Sequence, residues 1–150
     1  MIRLIIDQAT NQVHMTTRSG WIFLVLLFSV PSHATERCHD LETTTDSNKC
    51  WSAEVGRSQQ RLAAYLAAAR TRAVVTLGVS GEAFDNAQAA WASYKTLHCS
   101  NIRQRWTGAT VGTAKAARCA VDLNDQRAHD LWQSYLTYED RTPPLLPEPE

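Results

Sequence analysis

Cys38, Cys50, Cys99 and Cys119 have the widest chemical reach of any residues in this 150-residue chain. Thiols can serve as a redox couple, a haem anchor, metal ligands or disulfides. The first two uses need CxxC or CxxCH spacing, and neither occurs. A metal site needs partners at ligand spacing. His39, His98 and His129, the histidines beyond residue 34, stand in no such pattern with a cysteine or carboxylate, so no metal and no cofactor is expected. There is no Gly-rich phosphate loop, no GxSxG turn and no visible pair of nucleophile and base. No catalytic residue is therefore expected, and the chain does not read as an enzyme. Disulfides remain. Four cysteines allow three connectivities, and spacing favours the local pairs Cys38 with Cys50 and Cys99 with Cys119. Each would close a loop of about 12 to 20 residues, worth roughly 3 kcal/mol in the chain-entropy model. A Cys50–Cys119 bridge stays open as the competing pattern.

Two further groups have the residue types of an interaction site. Asp122, Asp125 and Asp130 cluster near the end of the chain, where they can cap and solvate a helix or present an acidic face to a partner. The segment Asn101 to Gly108 brings Arg103, Arg105 and Trp106 together between two cysteines. Arg and Trp are the side chains that most often carry protein interfaces. An ordinary surface loop whose Trp folds back on the core is the alternative. Arg127 follows the apolar line Ala120, Leu123, Leu131 and needs a partner if buried, expected to be an ion pair or backbone carbonyls.

Positioning these residues falls to helices. Apolar side chains at Trp51, Val55, Leu62, Tyr65, Leu66, Ala69 and Ala73 recur at three and four, one stripe of a long helix capped near Asp46 or Ser47 and ending by Thr76. Gly78 marks the stop, and a second helix is expected over Glu82–Cys99 with Phe84, Ala87, Trp91, Tyr94 and His98 on one face. Residues 100–112 read as a loop or short broken helix. A last helix spans about Thr113–Tyr138, with Ala116, Ala120, Leu123, Leu131 and Tyr135 inward and a break near Asp122–Asp125. From Pro143 the prolines exclude a helix, and residues 143–150 read as a disordered tail. No alternating run of strand length competes. The expected fold is all-α, a small disulfide-stapled bundle of three to four helices over residues 35–142.

Ahead of it, Arg18, the ten-residue apolar run from Trp21 to Val30 and the small residues of Ser32-His33-Ala34 have the form of a secretory signal peptide, residues 1–34. The run is too short for an ordinary membrane span, which needs about 20 residues. Translation from Met1 or Met15 is compatible with that form. No Cys directly follows Ala34 to carry a lipid, so a freely soluble periplasmic or secreted protein with no stable membrane anchor is expected, in a compartment that permits disulfides. Lys and Arg total 15, as do Asp and Glu. Without residues 1–34 the counts are 13 and 14, close to −1. That balance argues against nucleic acid as a partner, which selects a strong basic excess.

The order Cys38, Cys50, long helix, then Ala87-Gln88-x-x-Trp91-x-x-Tyr94-Lys95 ending at Cys99, with Gly108, Cys119 and Arg127 after it, resembles the LprI-type lysozyme-inhibitor family. The likeness covers roughly residues 38–136. It implies an exported helical module whose motif residues Gln88, Trp91, Tyr94, Lys95 and Arg127 are mainly structural, and whose partner is a protein, a lysozyme foremost. Where the family usually shows Asp-x-x-Leu-Asn-x-x-Tyr in its first helix, this chain has Ser58, Arg61, Leu62 and Tyr65, and the paired Gly of the loop is Gly108-Ala109. Inhibition would proceed by occlusion, a loop or helix end entering the glycan cleft. The partner-binding candidates are then Arg103, Arg105, Trp106, Asp122 and Asp125. Lysozymes are generally basic, and a charge near −1 gives no strong steering field, so an acidic face would have to be local, at Asp122, Asp125 and Asp130 or at Glu36, Asp40 and Glu42. Binding another envelope protein, with no lysozyme inhibition, is the alternative role.

Overall fold

The computed structural model describes residues 37, 38 and 41–150. The signal-peptide reading lies outside them. Three helices, α1 (Thr44–Val75), α2 (Gly81–Arg105) and α3 (Gly112–Leu131), run up, down and up, and a π-helical turn follows at Trp132–Leu136. Among the described residues there is no strand, so the all-α expectation is met. α3 lies against both other helices, while α1 and α2 touch each other least.

The ends of the helices follow from local chemistry. The expected cap at Asp46 or Ser47 is replaced by Thr43, whose Oγ1 accepts from the Asp46 amide at 3.1 Å; Asp46 is the acidic residue of the first turn, where the helix dipole favours it. α1 ends as expected, and Gly78 turns the chain at φ 73°, a conformation open to glycine. Ser80 caps α2 through the Ala83 amide. α2 does not stop at Cys99. Ile102, Arg103, Gln104 and Arg105 are competent helix formers, and the helix runs on to Arg105 before Gly108, at φ 84°, breaks it. The loop is thus residues 106–111 alone. No break occurs at Asp122–Asp125, and α3 gives way only at Trp132. There the Arg72 guanidinium takes up the exposed end, donating to the Tyr135 and Thr137 carbonyls at 2.7 and 2.8 Å and lying over the Tyr138 ring.

Two disulfides, Cys38–Cys50 and Cys99–Cys119, adopt the local pairing, with Cα atoms 5.9 and 5.6 Å apart. The first ties the N-terminal segment to α1, and the second clamps α2 to α3 behind the loop.

The core is split. One cluster holds Leu62, Ala69, Ala73, Phe84, Ala128, Leu131 and Leu136; the other holds Trp51, Ala114 and Val121. Between them lies a polar layer. Ser58 and Asn124 are fully buried; Asn124 donates to Ser58 Oγ at 2.9 Å and accepts from Lys95 Nζ at 2.8 Å. The line Ala116, Ala120, Leu123 expected inward on α3 is only half-buried, because the closed positions lie one residue over, at Val121, Asn124 and Ala128.

The last segment is not a free tail. Its prolines do exclude regular structure, yet Leu146 packs on the larger core cluster. Its carbonyl accepts from Trp132 Nε1 at 2.9 Å, the Pro147 carbonyl accepts from the Tyr65 hydroxyl at 2.8 Å, and the Leu145 amide returns to the Leu136 carbonyl. Proline denies the chain a helix but leaves carbonyls free to dock.

Candidate functional site

The spacing of Gln88, Trp91 and Lys95 keeps all three on the α2 face that meets α3. There Arg127 Nε donates to Gln88 Oε1 at 3.1 Å, and Lys95 reaches Asn124. Both cations lie near the Trp91 ring, Lys95 Nζ at 4.9 Å and Arg127 Cζ at 5.9 Å from its centroid. Arg127 therefore uses a side-chain amide and an aromatic face, where an ion pair or backbone carbonyls were expected. Burial pulls the Lys95 ammonium below the usual lysine range. Tyr94 is a correction. One residue from Lys95 is about 100° around a helix, which turns Tyr94 away from α3. It is 53% exposed and stacks on the exposed His98. Ala87 is exposed as well.

The acidic cluster is also redistributed. Asp125 sits between two guanidinium groups, Arg37 at 2.6 Å and Arg61 at 2.8 Å. The neighbouring Glu54 is hydrogen-bonded by Arg57, which holds its carboxyl below the usual glutamate range; the Arg37 and Arg61 charges add to this against the opposing effect of burial. Asp125 is thus spent inside the bundle and gives no free acidic face. Asp122 is exposed and 3.7 Å from Arg118 one turn earlier. Ser58, Arg61, Glu54 and Asn124 carry this layer, yet none is conspicuous to a reading of apolar residues. Their signal is a polar side chain standing on an apolar stripe, such as Ser58 between Trp51 and Leu62, which requires a buried partner.

The Arg103, Arg105 and Trp106 candidates stand together at one end of the bundle. Arg103 through Thr110 are all exposed, and Trp106 is 38% exposed with Lys115 Nζ 5.7 Å from its ring. The loop is closely built. The amides of Trp106, Thr107, Ala109 and Gly112 return to the carbonyls of Arg103, Gln104, Trp106 and Ala109, and Asn48 donates to the Thr110 carbonyl. Packing at Gly112 is close, since a Cβ there would lie 3.2 Å from the Trp106 carbonyl oxygen and the loop would have to give by a few tenths of an ångström. A groove of about 300 Å³ opens beside Trp106, lined by Ser100, Arg103, Gln104, Thr107 and Thr113. At the other end of the bundle a more apolar groove of about 590 Å³ runs between α1 and the C-terminal segment, past Ala68, Thr71, Val75, Tyr138 and Leu145. Val75 and Leu145 are 79% and 51% exposed. Neither Glu54 nor Lys95 lines either groove. Among the described residues no group of three or more His, Cys, Asp or Glu could hold a metal ion, and no helix is long and apolar enough to cross a membrane.

A helical hairpin clamped by Cys99–Cys119 behind a short loop, and a first helix tied to the segment before it by Cys38–Cys50, define a small stapled three-helix module. The family model described as lysozyme inhibitor LprI matches residues 35–131. That span is well over half of the chain, which belongs to the LprI lysozyme inhibitor family. No curated protein and no solved structure matches.

Proposed function

We propose that this chain is an exported binding protein that blocks a peptidoglycan hydrolase by covering its glycan cleft, with no chemistry of its own. The match to an inhibitor family over residues 35–131 carries this reading. Two disulfides with no free cysteine among the described residues fit an oxidising compartment, periplasmic or extracellular, and agree with the leader expected over residues 1–34. The clamped Trp106 loop supports occlusion because a preformed loop loses little conformational freedom on binding. Titrating the oxidised protein into a c-type lysozyme, with cell-wall clearing as readout, is expected to reach a stoichiometric end point. No inhibition at micromolar protein overturns the reading and leaves the helical module standing.

The exposed apolar groove along α1 favours a second role, attachment to another envelope protein without inhibition. Under that role Val75→Glu would abolish capture of the partner while a lysozyme remained fully active in the presence of the wild-type protein.

A further inference from the structure

Residues 86–121 include Lys95, Arg103, Arg105, Lys115 and Arg118 and not one Asp or Glu. Lys95 is used internally by Asn124, and Arg118 lies near Asp122. Arg103, Arg105 and Lys115 make no ion pair among the described residues, whereas Arg37, Arg57, Arg61 and Arg70 all do. Helix stability accounts for only part of this arrangement. Arg103 and Arg105 occupy the last turn of α2, where the helix dipole favours cations. Lys115 is in the opening turns of α3, where the same dipole disfavours a cation, and the first turn of α3 has neither an acidic residue nor a side-chain cap. The bundle thus keeps a positive pole on the α2–α3 connection that its own folding does not call for, with Asp46, in the first turn of α1, at the same end.

That pole also carries the exposed Trp106, and its backbone is fixed by four turn hydrogen bonds, Gly112 packed under Trp106, and the Cys99–Cys119 bridge behind it. A rigid aromatic flanked by unpaired guanidinium groups fits an acidic concavity. Most glycan-cleaving hydrolases supply one, because they place two carboxylates about 5 to 9.5 Å apart across the bond they break. Guanidinium groups match carboxylates in a planar, two-bonded geometry. We infer that the Trp106 pole is the surface that enters a glycan-hydrolase cleft, with Arg103 and Arg105 opposing the catalytic carboxylates. This rests on the inhibitor reading and adds the face and the chemistry of contact. It also removes the difficulty of the near-neutral net charge, since recognition is local to a cleft that is acidic even in an otherwise basic enzyme.

The test uses the full oxidised protein and three variants: Arg103→Glu/Arg105→Glu, Trp106→Ala, and Arg141→Glu as a control on the exposed C-terminal segment. Each is checked by circular dichroism and non-reducing mapping, then titrated against a c-type lysozyme. Wild type and Arg141→Glu are expected to inhibit equally. Arg103→Glu/Arg105→Glu should weaken inhibition by about a hundredfold or more, the size of losing two charge-assisted contacts, and Trp106→Ala by about tenfold or more. Full inhibition by the double reversal overturns the inference while the inhibitor reading stands. Absence of inhibition by the wild type overturns both. Binding of the wild type to purified peptidoglycan through Arg103 and Arg105, without enzyme inhibition, also overturns it and makes the pole a glycan site.

Discussion

Asn124 shows how a single residue can set the alignment of helices. It is fully buried, and its side chain bridges Ser58 on α1 and Lys95 on α2. Asn124→Ala removes the donor to the Ser58 hydroxyl, which keeps its bond to the Val55 carbonyl, and leaves the Lys95 ammonium without its acceptor, so a loss of about 2 kcal/mol is expected in urea unfolding. Ser58→Ala should be milder, and the two losses should be non-additive in a double-mutant cycle. Glu54 gives a pH signature. Its proton affinity is lowered in the folded state, so its contribution is fully present above about pH 4.5 and is lost as pH falls through the lowered value. Glu54→Gln should reduce stability at neutral pH and flatten the stability curve below pH 4.5, which a urea series across pH 3 to 7 measures. An unchanged acid limb would show that Glu54 does not carry the dependence.

At the scale of elements, the three helices were legible because their apolar spacing and Gly78 signal were strong. Cysteine spacing pointed to the right staples for a related reason: residues 12 and 20 apart in sequence meet across a single turn of chain. What was illegible has physical causes. A polar residue on an apolar stripe looks like an interruption, so the Ser58 and Asn124 layer was hidden. Arg and Gln suit a helix as well as a loop, so the extension of α2 to Arg105 was missed. Tyr94 counted as apolar, although the register turns it outward. Two predictions belong here. Replacing both Cys99 and Cys119 with Ala should lower stability by roughly 3 kcal/mol in the chain-entropy model, measured by thermal unfolding with and without reductant. Ending the chain at Thr142 removes Leu146 and the carbonyls that receive Trp132 and Tyr65, and should cost about 1 to 3 kcal/mol. A truncated protein of unchanged stability would mean that the segment rests on the bundle without supporting it.

For the whole molecule the relevant property is the distribution of charge more than its sum. Residues 86–121 have no acidic side chain, while residues 122–150 have seven acidic and two basic ones. α3 runs from the loop end back to the C-terminal segment, so Arg103, Arg105 and Lys115 stand at one end of the bundle while Glu139 and Asp140 lie toward the other. A partner with a concave acidic site would meet the positive end first, and salt would weaken that encounter. Motif residues Gln88, Trp91, Lys95 and Arg127 bind α2 to α3 and thereby place the loop, which is why a structural motif can accompany an interaction function. The most direct measurement is inhibition of a c-type lysozyme by the oxidised protein at several concentrations of a short N-acetylglucosamine oligosaccharide. Cleft occlusion predicts one-to-one inhibition that the oligosaccharide relieves competitively. Inhibition indifferent to the oligosaccharide, or none at micromolar protein, would contradict it.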